Sequence, residues 1–315
     1  MNKTKLITVI CWAISALALS GLLVWLLLSN VFGGIGLGFE PGLGRFDVVA
    51  THRVPADNID NLDIDWTSGR VTIGTHSGDE IIITELSRRD LRENEALWFN
   101  ADDGTLTIRF VERTLGTRIG NMPTKQLEVL IPSRNFDHFH VSTVSGRIVA
   151  GHIQSTDFSA STISGRIELD RITAEHLSAT TTSGRIELRD ITAQTIDAAT
   201  TSGRINVLGT ETQSLRTHTI SGRHELLGSF GEVDARSTSG RLVIVSQITP
   251  ERVVAQTTSG RIELTVPREG TVGVQYSTRS GRFTSELPIT TQSGADAQFN
   301  LSTGSGRISI FELRR

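Results

Sequence analysis

Cysteine is nearly absent. Cys11 is the only one in 315 residues, so the chain can form no internal disulfide and no cysteine-built zinc site. It follows Thr8-Val9-Ile10 rather than the leucine and small-residue pattern of a lipoprotein cleavage site, and gives no reason to expect a lipid anchor. Aromatic residues are scarce at 5%. Lysine is confined to Lys3, Lys5 and Lys125, so the cationic side chains are almost all arginine. The 31 Lys and Arg against 34 Asp and Glu give a net charge of −3, without the cationic excess a nucleic-acid binder needs. A phosphate-binding loop is missing too: the glycines at 33–38 follow an apolar run rather than a strand and have no lysine after them. Of eight histidines only His138 and His140 are close, on one face of a strand with no third ligand. The carboxylates are spread thinly along the chain with no converging pair. These absences predict a protein without metal, cofactor or catalytic centre.

Long apolar runs occur once. Leu6 to Leu28 carries no charge, and as a helix the run would span ~34 Å, enough for the hydrocarbon core of a bilayer. The run is longer than the apolar core of a signal peptide, and its small residues are followed by more leucine, so a retained anchor is expected. Lys3 and Lys5 precede the run and the first cation after it is Arg45. The positive-inside rule then leaves residues 1–5 in the cytoplasm, a transmembrane helix over 6–29, and the rest of the chain outside. The glycine-rich stretch 30–47 reads as a flexible linker.

The rest of the chain is dominated by the tripeptide Ser-Gly-Arg. Its glycines are Gly146, Gly165, Gly184, Gly203, Gly222, Gly240, Gly260, Gly281 and Gly306; the first five are evenly spaced, and the later intervals drift and then lengthen. Such a sustained period marks a repeat architecture. Aligned on the glycine, positions seven and five before it and two and four after it are mostly apolar, with polar residues between. That alternation is the period of two of a half-buried strand, and no helical period fits. A row three before the glycine, threonine in eight copies and Ser237 in the ninth, has the inward parity. One such strand pair cannot bury its apolar face, but stacked copies bury a continuous aliphatic column. The sequence thus predicts an all-β parallel β-solenoid (a β-helix) of ~19-residue coils behind one transmembrane helix. Regular repeats fill 141–315. Residues 48–140 form a more irregular opening part, in which Gly69 fits the same grid close to four periods before Gly146.

Within the tripeptide, glycine is expected to supply a positive φ at a sharp corner, and serine to bond the backbone of the turn. The arginine faces outward, which places nine guanidinium groups in one column. Glu168, Glu187, Glu225 and Glu263 stand two residues after their own arginine and can neutralise it. Arg147, Arg204, Arg241, Arg282 and Arg307 have Val, Asn, Val, Thr and Ser there instead. Those five are the candidate strip for an anionic envelope polymer or another envelope protein, since a guanidinium suits phosphate and carboxylate.

The repeated Ser-Gly corners, the L-E-V-x-I-P pattern at Leu127–Pro132 and the closing T-G-S-G-R-I-S-I at 303–310 resemble the bacterial putative-adhesin family of β-strand-repeat proteins, a domain of unknown function. The likeness covers about residues 45–315 and implies an extracytoplasmic β-solenoid. Family members vary after the Ser-Gly, often with Asp, so the uniform arginine here departs from the pattern. Together these readings predict a single-pass cell-membrane protein whose external solenoid is a non-catalytic structural, adhesive or ligand-binding module. The alternative is an envelope-stress or signalling accessory that binds a partner membrane protein; a carbohydrate-active enzyme ranks below both.

Overall fold

The structure, a computed structural model, describes residues 46–111, 123–290 and 295–314. The expected membrane helix, and all but the last two residues of the linker, lie outside the described residues. What is described is one sheet of fifteen strands joined by short corners. Its regular part is a parallel stack: β7 (Asn135–Gly151), β8 (Gln154–Asp170), β9 (Thr173–Arg189) and β10 (Thr192–Ser246), the last winding through three coils. Gly146, Gly165, Gly184 and Gly203 stand in register on successive strands, as do the serines and arginines beside them. The β-solenoid read from the repeat is the observed architecture.

Four successive coils, from β7 into β10, turn by breaking the inward–outward alternation, whereas the coil of Gly222 keeps it from Leu226 to Phe230. Around β9, Leu177, Ala179 and Thr181 face inward, then Ile186 and Leu188, then Ile191 and Ala193. Between the second and third runs two consecutive outward residues, Arg189 and Asp190, shift the parity and swing the chain round. At that bend His152, Arg171, Asp190 and Gly209 stand on these four coils in turn with φ of 62, 52, 51 and 63°. This is the left-handed corner of the coil, and it falls on residues of four different types.

The Ser-Gly corner needs its glycine for another reason. Positive φ occurs there only at Gly69 (98°) and Gly306 (152°) among the described residues. In the other coils an added Cβ would meet the neighbouring backbone: from Gly203 it would lie 1.6 Å from the carbonyl oxygen of Gly184, and from Gly184 1.7 Å from that of Gly165. Glycine here lets two backbones approach, and the inward threonine three residues earlier closes the same space, with Thr181 Oγ1 3.1 Å from the Cβ position at Gly184. The corner serines Ser164, Ser183 and Ser202 lie exposed on the outer surface.

Both ends of the stack depart from simple succession. β2 (Asn61–His76) lies directly against β7, Gly69 on Gly146 and Arg70 on Arg147, so two adjacent coils are separated by a long stretch of chain. That stretch closes this end of the stack. β5 (Thr105–Arg109) and β6 (Lys125–Pro132) pair in parallel with the two halves of β2, and β1 (Asp47–Pro55), β3 (Glu80–Ser87) and β4 (Trp98–Asp102) add antiparallel strands. At the far end β11 (Arg252–Ser259) and β12 (Ile262–Val266) are followed in space by β15 (Ala297–Glu312), and only then by β13 (Val272–Ser285), which also pairs with the two-residue β14 (Ile289–Thr290). The last coil in sequence is therefore inserted beneath the one before it.

The core is an aliphatic column with two local exchanges. Where most coils carry alanine five before the glycine and isoleucine two after it, one coil has Thr217 and His224, whose Oγ1 and Nδ1 lie 2.8 Å apart. Another, on the outermost coil β13, has Tyr276 and Phe283, stacked at 3.9 Å with their planes 4° apart and Tyr276 exposed at the open end. In these two coils the two positions thus face each other and are exchanged together.

His224 is fully buried, and burial, with the nearby His218 second, holds its imidazole down to about 3. An unfolded chain protonates this histidine near ~6.5, so below that pH the unfolded state binds a proton the fold refuses. The stability tied to neutral His224 is whole above ~6.5 and falls by up to ~1.4 kcal/mol per pH unit as acid approaches the folded value. His224→Leu should flatten the acid side of a plot of urea midpoint against pH. A slope unchanged between wild type and variant would show that His224 is not held neutral.

Candidate functional site: the Ser-Gly-Arg edge

The register that stacks the glycines also stacks the arginines into one column along an outer edge of the solenoid. In spatial order it runs Arg70, Arg147, Arg166, Arg185, Arg204, Arg223, Arg241, Arg261, Arg307, Arg282. Arg70 belongs to it because β2 lies against β7, and the last two stand in reverse sequence order.

Carboxylates occupy part of this column as the side-chain spacing dictates. Arg166 reaches Glu168 at 3.1 Å, Arg185 reaches Glu187 at 3.0 Å, and Arg223 and Arg261 reach Glu225 and Glu263 at 3.1 Å each. Glu187 also accepts from Arg189 at 2.8 Å. Arg147 has no acid on its own strand but donates to Glu168 of the next coil. Burial pushes the Glu168 carboxyl up, but the bonds from Arg147 and Arg166 outweigh it and leave the group below its usual range. Of the five arginines singled out by sequence, Arg147 therefore has a carboxylate partner. Arg204, Arg241, Arg282 and Arg307 have none among the described residues, and neither does Arg70.

Apart from Arg70 at the closed end, the arginines without a carboxylate partner gather in the second half of the stack. From Arg204 to Arg282 six guanidinium groups face only the carboxylates of Glu225 and Glu263. Arg204 and Arg241 are half-buried by their stems, while Arg282 and Arg307 are exposed. Beside them runs a parallel row of exposed serines, Ser202, Ser221, Ser239, Ser259 and Ser305. An open groove follows the edge over three coils, lined by Gly184 and Arg185, Ser202 to Arg204, and Ser221 to Arg223. One residue further out, the upper coils expose Val144 and Ile163, and Ile220 stands level with the groove. Such an edge can hold an extended anion by guanidinium–carboxylate or guanidinium–phosphate pairs, with hydroxyls to bond its neutral parts.

His138 and His140 are both exposed on the outer face, and His138 Nδ1 lies 3.1 Å from Asp157 of the next coil. Among the described residues no three His, Cys, Asp or Glu side chains converge as a metal site.

Residues 59–312 match the family described as Toastrack DUF4097. No curated protein matches the chain. Among solved structures, a putative lipid binding protein from Parabacteroides distasonis shares 13% identity at a TM-score of 0.51, covering 85% of this chain and 98% of its own. A putative adhesin from Bacteroides fragilis shares 12% identity at a TM-score of 0.41, again over 85% of this chain and 98% of its own. A putative adhesin from Parabacteroides distasonis shares 9% at 0.45, with the same coverage of both chains. The resemblance carried by the Ser-Gly corners is thereby borne out, and the chain belongs to the Toastrack DUF4097 family.

Proposed function

We propose that this protein is a single-pass bacterial envelope protein, anchored by residues 6–29, whose external solenoid is a non-catalytic module that adheres to an anionic envelope polymer. The observation that carries this reading is the half-neutralised arginine edge. A column built only for stability would place an acid beside every guanidinium, because stacked like charges ~4.8 Å apart repel. Here Glu168, shared by Arg147 and Arg166, and Glu187, Glu225 and Glu263 on their own coils leave Arg204, Arg241, Arg282 and Arg307 unmatched among the described residues. The same carboxylates, each committed to an arginine, are poorly placed for acid–base chemistry. Anchor and topology rest on the uncharged run after Lys3 and Lys5.

The test is retention of the full-length protein on envelope fractions at low and high salt. Changing Arg204, Arg241 and Arg282 together to glutamate should remove the salt-sensitive part of that retention, since each loses an attractive contact and adds a repulsive one. Retention equal to wild type would sink the polymer reading.

The second reading, docking of a partner envelope protein, is favoured by the free end of the stack. Among the described residues the outer edge of β13 is paired only at Val272 and Gly273, and Tyr276 is exposed beside it. An unpaired edge with an accessible aromatic ring is a surface on which an extended segment can add a strand.

A further inference from the structure

The free arginines are not scattered along the edge. From Arg204 to Arg307 they alternate with neutralised ones: Arg204 is free, Arg223 is paired with Glu225, Arg241 is free, Arg261 is paired with Glu263, and Arg307 is free. The alternation stops there, because Arg282 on the last coil has no carboxylate partner among the described residues either. One coil advances by one parallel-strand spacing, so over the span from Arg204 to Arg307 unmatched guanidinium groups recur every second coil, ~9.6 Å apart. In the interposed coils the arginine charge is cancelled by its own glutamate. The exposed serine row continues through free and neutralised coils alike.

We propose that the edge from Arg204 to Arg307 is a binding site for a linear polysaccharide that carries one carboxylate per disaccharide, laid along the stack with one sugar per coil. This deepens, and rests on, the reading of the edge as a polyanion surface. A pyranose in an extended β-linked chain advances by close to one strand spacing. A carboxylate on alternate sugars therefore meets Arg204, Arg241 and Arg307 in turn, each able to form a paired guanidinium–carboxylate bond. The neutral sugars between fall opposite Arg223–Glu225 and Arg261–Glu263, where no net charge waits for them. Serine hydroxyls, which both donate and accept, meet sugar hydroxyls at every coil. Ile220, exposed on one of the neutral coils, offers an apolar patch to a sugar's C–H face. A polymer with an anion on every sugar would bring a second carboxylate against Glu225 and Glu263, and like charges across a contact are repulsive.

The test measures binding of fluorescent oligosaccharides of equal length to the full-length protein in neutral detergent micelles. The probes are a hyaluronan octasaccharide, with a carboxylate on alternate sugars, and an octagalacturonate, with one on each. Hyaluronan should bind more tightly although it carries half the charge. Arg241→Gln, which removes the central free guanidinium, should weaken hyaluronan about tenfold or more. The double variant Arg261→Gln with Glu263→Gln, which deletes a neutral pair, should leave it within about twofold. Octagalacturonate binding as tightly as hyaluronan, or Arg241→Gln and the double variant behaving alike, would overturn the spacing argument while leaving a polyanion surface in place. If neither probe binds even at low salt, the polyanion reading fails with it.

Discussion

Gly203→Ala is expected to split the solenoid in two. The new methyl would sit 1.6 Å from the carbonyl oxygen of Gly184, about half a normal contact, and that oxygen belongs to backbone that cannot rotate away. Relief requires the two coils to separate at the corner, which strains the parallel bonds from Ser202 to Leu208 against Ser183 to Arg189. The cost falls in the exceptional range for one substitution, about 4 kcal/mol or more. In a solenoid each coil is stabilised chiefly by its neighbours, so a lost interface uncouples the blocks on either side. Hydrogen exchange should show protection lost first in residues 183–208, and denaturant unfolding should change from one transition to two. Ser202→Ala, one residue away but exposed, should stay within about 0.5 kcal/mol of wild type. If Gly203→Ala unfolds in one transition at the wild-type midpoint, the glycine column is not what keeps the coils close.

That close approach also marks the limit of what the sequence discloses. Period-two alternation about a regular repeat is enough to read strand, inward and outward faces and stacking, because each depends on residues near in the chain. The function of the corner glycines depends on a backbone atom one full coil away, so positive φ is the natural but different expectation. The true left-handed corner is hidden because His152, Arg171, Asp190 and Gly209 share a conformation and not a side chain. Order along the stack is similarly hidden. Gly69 reads as four periods from Gly146 and is one coil away, and identical triplets at Gly281 and Gly306 say nothing about which lies outermost.

The arginine edge is largely legible, since an acid two residues after an arginine lies on the same face of the same strand. The reading fails only at Arg147, whose acid stands on the next coil. The Thr217–His224 and Tyr276–Phe283 exchanges sit in the sequence as two irregular coils; their meaning appears only once the two positions are seen to face each other.

Lys125 is the only lysine after Lys5, and it is fully buried in the closed end of the stack. Its Nζ lies 2.6 Å from Glu85 and donates to the carbonyls of Glu95 and Phe110, with the Phe110 ring centroid 4.1 Å away. Burial pulls its ammonium below the usual range, and the Glu85 carboxylate opposes that pull. Glu85 is itself buried and accepts the Leu97 N–H at 3.1 Å, so the pair ties β6 to β3 and to the chain entering β4. Lys125→Met keeps roughly the volume but strands the carboxylate, and breaking a buried pair from one side costs ~3–5 kcal/mol. Trp66 and Trp98 both lie in this end, so their fluorescence reports its unfolding directly. The expected result is an early tryptophan transition in urea for Lys125→Met. Adding Glu85→Gln should reverse at least half of the loss, because the amide can still accept from Leu97 and carries no charge to bury. If the double variant were as unstable as the single one, the damage would come from the lost contacts of Lys125 with Phe110 and Glu95 rather than from the unpaired charge. The closed end would then be held by the lysine's bonds to backbone.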